Sequence, residues 1–415
     1  MSGTRGLFRT WFPTAFGSSM LVAEIPVVAA GVARSSGAAA ALAAFGVGVS
    51  VIVVINAPAL ALAPLVVTAA GGRRRVYRYA LGVGAAGCAV LCLAAAVPAP
   101  LLAVLHLDDR IASQVPGVLL GLSAAPLAVA LRRYLHGRLI SADATAGIGV
   151  ATAVRLLASA CAIWALVAAV PEMGAGAGGV ALTVGAFAEA AVLAWTIRLL
   201  PASRETTTEP PRPELLRRHA QLSSTRLLVM APALVTSVGI AHSAAATDSL
   251  VVWPALYGLL ALFTVPTTDL ETVVAATLRR DRANLAARAV TRWLVVVVVA
   301  GYAVTVLSPL TRWYLTGFVG VPTGPARLGA QWAVLAIPAP ALWVARAYLR
   351  GLTMAADRNA LLVRAVSVHL LVLGGLVAVL SRTGLPGVAC AALAVCGGLA
   401  AEAAMLIPSR APVRV

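Results

Sequence analysis

Lysine is absent from this chain: all 32 basic residues are arginine, set against 15 acidic ones. Asparagine and glutamine are also scarce, at three each, and charged residues make up only 11% of the sequence. A soluble domain carries about 25% charged and about 45–50% apolar residues. Here the apolar share is 60% and the mean hydropathy +0.93, so too little polar surface exists to coat a water-soluble particle. The five cysteines (Cys88, Cys92, Cys161, Cys390, Cys396) include no CxxC pair, which excludes a disulfide framework and a thiolate zinc site and leaves small packing residues. No GxxxxGK[ST] loop is present, so no ATP-driven pump is built on this chain. No HExxH and no Ser/His/Asp constellation is present either. No enzyme activity, metal or other cofactor is expected.

Long apolar runs are what remains. Stretches of about 20 residues, enough for a helix to cross the hydrocarbon core, fall near 12–32, 38–70, 77–97, 111–131, 145–170 and 178–200. Six more fall near 226–242, 250–278, 293–309, 328–349, 361–380 and 385–407. Ala/Leu/Val runs with Gly, without strict alternation, predict helices and not a barrel. The first run holds Glu24 and Pro26, which make a poor signal-peptide core, so it is expected to be an uncleaved first helix.

The net charge of +17 is distributed as an orientation signal. Arginines gather at both termini and in alternate loops: 73–78, 132–138, 198–226, 279–292 and 346–364. The opposite loops hold only Arg34, Arg110, Arg312, Arg327 and Arg382, and Arg155 lies inside a helix. By the positive-inside rule both termini are cytoplasmic in a cell membrane, and nucleic-acid binding is not expected. Arg346, Arg350, Arg358 and Arg364 read as part of that signal or as anionic-lipid contacts. Tyr134 and Tyr348 read as interfacial aromatics, and His106, His136 and His219 fall in expected loops.

The chain repeats itself. "YLHGRLISAD" (134–143) and "YLRGLTMAAD" (348–357) share five of ten residues at a spacing of 214. "AEAAVL" (188–193) recurs as "AEAAML" (401–406), and "AVRLL" (153–157) lies over "SVHLL" (367–371). Pro58 with "LVVTAAGGRRR" lies over Pro266 with "TVVAATLRRDR", at a spacing of 208. An even number of spans per copy orients both copies alike. The expected fold is all-α and integral to the membrane, with twelve transmembrane helices as two parallel six-helix repeats around a central cleft. The expected division is an N-lobe at 1–200, a cytoplasmic linker at 201–221, rich in Pro, Thr and charge, and a C-lobe at 222–415.

Ionisable groups deep in membrane helices are expensive and therefore functional candidates. Glu24, about twelve residues into the first span beside Pro26, is a candidate proton or cation coupling site, or else a packing carboxylate bonded to a neighbour. Arg155 and Glu189 fall at matching depths on adjacent helices, with His369 and Glu402 at the equivalent places in the second copy. Each pair reads either as a lock between helices or as part of a solute-lining cleft. Asp269 and Glu271 stand where the first copy has Ala61 and Ala63, an asymmetry that points to specialisation. Asn56, beside Pro58, is a further cleft candidate.

Three segments, "SAAATDSLVVWPALYGLLALFTVPTTDLETVVAATLRRD" (243–281), "IPAPALWVARAYLRGLTMAADRNALLVRAVSVHLL" (337–371) and "GVACAALAVCGGLAAEAAML" (387–406), carry a resemblance. Together with the twelve spans and the first-helix Glu24 and Pro26, they resemble the multidrug/oligosaccharidyl-lipid/polysaccharide flippase (MOP) superfamily. That group includes the multidrug and toxic compound extrusion (MATE) transporters, and the nearest likeness is to the progressive ankylosis family of pyrophosphate- and organic-anion exporters. The resemblance implies efflux driven by a proton or sodium gradient, with Glu24 and Pro26 matching the group's first-helix acidic and proline features. It also implies a basic residue at the place of His369 and a Glu at the place of Glu402. The expected partners are membrane lipids, a small-molecule solute and the coupling ion, in a monomer. A lipid-linked oligosaccharide flippase of the same superfamily is the alternative. An integral membrane enzyme is a weaker one, since no Asp-rich or His cluster marks a membrane face.

Overall fold

A computed structural model describes residues 2–68, 73–142, 144, 146–199, 211–281 and 284–407. Among these the chain is helical throughout, with a single isolated β-bridge between Ala244 and Pro386. The helices longer than ten residues are α1 (Ser2–Val32), α2 (Ala38–Ile55), α3 (Arg73–Ala96), α4 (Ala125–Ser141), α5 (Ala146–Ala169), α6 (Ala175–Arg198) and α7 (Arg212–Ala241). They continue with α8 (Ala246–Thr264), α9 (Leu270–Asp281), α10 (Asn284–Leu307), α11 (Pro338–Ala355), α12 (Asn359–Leu380) and α13 (Gly387–Leu406). Among the described residues eleven helices are long and apolar enough to cross a membrane, or twelve if the pair Thr323–Ala336 and Pro338–Ala355, bent by 46°, counts as one span. In hydrocarbon every backbone amide must be satisfied within the protein, which helices achieve within their own segment and closed barrels between strands. Hydroxyls follow the same logic: Ser50, Thr152, Thr183 and Thr236 each donate to the carbonyl four residues back. Large apolar side chains such as Leu93, Leu157, Trp195 and Leu371 are exposed, as a lipid-facing surface requires. All five cysteines are free thiols.

Packing divides the chain into two units, Met1–Pro26 with Val238–Val415, and Val27–Ser237. The expected boundaries at 200 and 222 follow the duplication; the packing boundaries cut through α1 and α7 instead. The reason lies in single anchors. Trp11 of α1 joins the core of Leu270, Val274, Val344, Tyr348 and Leu406, and its indole Nε1 donates to Pro266 O at 3.2 Å. Leu215 of α7 joins the other core, with Leu62, Leu65, Val76 and Tyr134.

Several expectations change here. The expected linker 201–221 is helical from Arg212, while 201–210 lie outside the described residues, as does Asp143 of the repeated decapeptide. Arg226 is therefore well inside α7 and does not start it. His219 and His136 are helical and buried, not in loops. His219 accepts from the Tyr79 hydroxyl at 2.7 Å through Nδ1 and donates from Nε2 to Pro58 O at 2.9 Å; the carbonyl can only accept, which fixes the tautomer. Tyr134 and Tyr348 are core residues, 4% and 7% exposed, not an interfacial belt. The eighth span is not one helix: a 3₁₀ turn at Val265–Thr267 containing Pro266 separates α8 from α9. Proline lacks the donor that a continuous helix needs at that turn. The first copy breaks at the corresponding place, Asn56, before the short helices Ala57–Leu60 and Leu62–Thr68.

The glycines of the repeated decapeptide, Gly137 and Gly351, occupy equivalent close contacts in the two copies. A Cβ on Gly137 of α4 would sit 2.8 Å from Ala63 O and 2.6 Å from Val66 Cβ. A Cβ on Gly351 of α11 would sit 2.7 Å from Glu271 O and 2.8 Å from Val274 Cβ. Ala63 and Val66 become Glu271 and Val274 at the repeat spacing of 208, and Gly137 becomes Gly351 at 214. Both copies thus bring two backbones together at one glycine, which no larger residue permits.

Candidate functional site

In the second copy, α13 carries Glu402, whose side chain is 1% exposed. Three bases surround its carboxylate. Arg346 Nη1 lies 3.3 Å from Oε2 and Arg350 Nη1 lies 3.1 Å from Oε1, both from α11. His369 Nδ1, from α12, donates to Oε2 at 2.9 Å; a carboxylate only accepts, so Nδ1 carries the proton. Arg350 Nε also stands 2.9 Å from Glu271 Oε2 of α9. The Arg346 guanidinium lies over the Trp343 ring, 4.4 Å from its centroid, and Trp343 Nε1 donates to Thr268 Oγ1 at 3.0 Å.

The first copy builds the same cluster around Glu189 of α6, whose side chain has no exposed surface. Arg132 Nη1 of α4 lies 3.0 Å from Oε2, and Arg155 Nη1 of α5 lies 3.2 Å from the same atom. His136 Nε2 stands 3.6 Å from Oε1, beyond hydrogen-bond reach, and Thr152 Oγ1 contacts the same oxygen at 3.5 Å. At the repeat spacing Arg132 corresponds to Arg346, His136 to Arg350 and Arg155 to His369. Each copy therefore has two arginines and one histidine on its glutamate, with the histidine moved from the α4 position to the α12 position. Glu402 lies only one turn from the end of α13, whereas Glu189 lies less than one turn past the middle of α6.

The Arg155–Glu189 and His369–Glu402 contacts join helices expected to be neighbours. The bases from α4 and α11 were not among the expected site residues. Arg346 and Arg350 had read as orientation signal, yet their side chains are only 11% and 14% exposed. The signal was present in the repeat itself: "RRYLHG" and "RAYLRG" place a base two residues before and two after the shared tyrosine, one helical face in both copies. Stripping one partner from a buried ion pair costs about 3–5 kcal/mol, so these clusters hold α4, α5 and α6, and α11, α12 and α13, in fixed register.

The remaining candidates lie elsewhere. Glu24 of α1 is 1% exposed, two residues before Pro26, where one packing unit ends along the chain. Six residues earlier on the same helix, about 9 Å along its axis, Ser18 Oγ donates to Asp269 Oδ2 at 2.7 Å. Asp269 and Glu271 therefore part company: Asp269 meets α1, and Glu271 meets Arg350. Asn56 caps α2, with Oδ1 buried and without a hydrogen-bond partner.

No protein-family model and no curated protein sequence matches the chain. Solved structures do. One, a multidrug resistance MATE family transporter of the MOP superfamily in an inward-facing conformation, has a TM-score of 0.70 at 14% identity, covering 95% of this chain and 94% of that one. A MOP superfamily transporter from Pyrococcus furiosus, described as having a binding pocket of reverse polarity, has a TM-score of 0.65 at 14% identity over 99% and 96%. The lipid II flippase MurJ in an inward closed conformation has a TM-score of 0.66 at 11% identity over 95% and 86%. The chain has the fold of the MOP superfamily, the one that MATE transporters and MurJ share. It is a multi-pass membrane protein.

Proposed function

We propose that the chain is a secondary active transporter of the cell membrane, with both termini cytoplasmic. It exports a small organic solute, anionic or amphiphilic, by proton- or sodium-coupled alternating access. The observation that carries this reading is Glu24: a carboxylate without solvent exposure in the first membrane helix, beside a proline at which the packing units change. Exchange of a proton or cation at such a carboxylate is a charge change that a two-state helix can sense. Asp269, held against the same helix by Ser18, is the second coupling candidate. The fold, common to MATE transporters and a flippase, supports transport across the bilayer.

Arg155 and His369 are not the anion-recognising groups in this reading, because Glu189 and Glu402 already answer them. The preference for anions rests on the resemblance to organic-anion exporters. The alternative, a lipid-linked oligosaccharide flippase, is favoured by the likeness to MurJ. Flux from proteoliposomes under imposed proton and sodium gradients, with organic anions, cationic dyes and a fluorescent lipid-linked sugar, separates the readings. Gradient-driven movement of a water-soluble solute supports the exporter, and movement of the lipid-linked sugar alone supports the flippase.

A further inference from the structure

A cavity of about 280 Å³ opens between α10 and α11, within one packing unit. Two cations, Arg288 and Arg292, line it from α10, and Val295, Ala345 and Tyr348 complete its apolar walls. The arginines are four residues apart, hence on one face of the helix, and both are exposed. Among the described residues no acidic side chain lines the cavity. The hydroxyl of Thr291, also in its wall, is already committed to Ala287 O at 2.7 Å, so the arginines are its polar recognition groups.

Position along the helix identifies what such a cavity takes. The apolar span of α10 runs Ala287–Leu307, so both arginines stand at one end of it. From Arg292 onward about 22 Å of apolar helix runs toward the other end. A basic pair at the end of a span stands at headgroup level, with its alkyl stems along the apolar surface. Trp293, half exposed and next to Arg292 in sequence, is a residue type enriched at that level. A free anion would gain nothing from the apolar walls, and a zwitterionic lipid would gain little from two guanidinium groups that have no ion-pair partner among the described residues. The volume lies near the lower edge of ligand cavities, about 300 Å³, which suits the headgroup end of a lipid whose chains stay in the bilayer.

We infer that the α10–α11 cavity is a binding site for an anionic phospholipid, its phosphate held by Arg288 and Arg292. Basic side chains near a membrane surface contribute enough each that losing two weakens binding on the order of 30-fold. The Tyr348 that backs it belongs to the same helical turn as the two arginines on Glu402.

The test is the unfolding temperature of the full chain in detergent, titrated with phosphatidylglycerol, phosphatidylcholine or inorganic phosphate. A saturable rise is expected with phosphatidylglycerol alone. It is lost in Arg288→Gln/Arg292→Gln and kept in Arg74→Gln/Arg78→Gln, which removes two exposed cations from the start of α3. Ala345→Phe, which fills the cavity from α11 and leaves both arginines in place, is expected to lose the response as well, and it serves where the double variant does not fold. An equal response to phosphatidylcholine or to phosphate, or a response that survives in either cavity variant, overturns the assignment.

Discussion

Arg350 stands 2.9 Å from Glu271, and at the repeat-equivalent places the first copy has His136 and Ala63. The second acidic residue and the stronger base occur together in one copy and are absent together from the other. Glu271 is therefore explained as the counter-charge that a second α11 arginine requires. The Arg350 Nε–H is not aligned for a hydrogen bond, so the pair is held by charge. Glu271→Ala and Arg350→His are each expected to lower the unfolding temperature. The double variant, which copies the first half, is expected to recover most of the loss, with a coupling of about 0.5–3 kcal/mol. Simple addition of the two single losses in a thermal-unfolding cycle would falsify the pairing.

Glu189 and Glu402 are each the single carboxylate on which two arginines converge in a buried setting. Glu402→Gln and Glu189→Gln keep the volume and remove the charge, and each is expected to cost about 3–5 kcal/mol of stability. Detergent-solubilised yield and unfolding temperature check this. Stability equal to the parent would show that the clusters are solvated and the register argument wrong.

The repeated glycines test the duplication at the level of packing. Gly137→Ala and Gly351→Ala are expected to destabilise by roughly 1–3 kcal/mol each, because neighbouring backbone carbonyls leave no room for a Cβ. Gly375→Ala on α12, where nothing lies within 4 Å of the added carbon, is expected to be neutral or slightly stabilising. Similar effects at all three sites would contradict the close approach.

His219 ties the start of α7 to Tyr79 and Pro58. Tyr79→Phe removes one hydrogen bond, about 1 kcal/mol, and His219→Ala removes both. Amide exchange across residues 212–221 is expected to accelerate modestly in the first variant and strongly in the second. Exchange already fast in the parent would mean that this segment is the linker its composition suggests.

The spans, their number and the duplication were legible because hydrocarbon imposes about 20 apolar residues per helix and little else produces such runs. The Glu-centred clusters were half legible. The Arg155–Glu189 contact follows from helix order and depth, whereas Arg132, Arg346 and Arg350 were hidden in a loop-side arginine count that does not distinguish a guanidinium reaching inward from one facing water. The packing boundary was not legible at all. It accompanies long-range packing, such as Trp11 bonded to Pro266 and Leu215 in one core with Leu62 and Leu65, that neither composition nor periodicity encodes. Residues 212–221 read as linker because they follow the Pro- and Thr-rich stretch 201–211 and carry three arginines and a glutamate themselves. Their first turn accommodates Pro213, since proline near a helix start loses no needed donor, and the helix proceeds.

Glu24 is where transport and structure meet, and Glu24→Gln is the substitution that separates them. Solute efflux from proteoliposomes under an imposed proton or sodium gradient is the deciding measurement, made on the parent and on this variant at matched insertion and unfolding temperature. Gradient-dependent flux in the parent that disappears in Glu24→Gln is the expected result. Equal flux from both proteins, or no gradient-dependent flux of any solute from the parent, would contradict a carboxylate-coupled exporter.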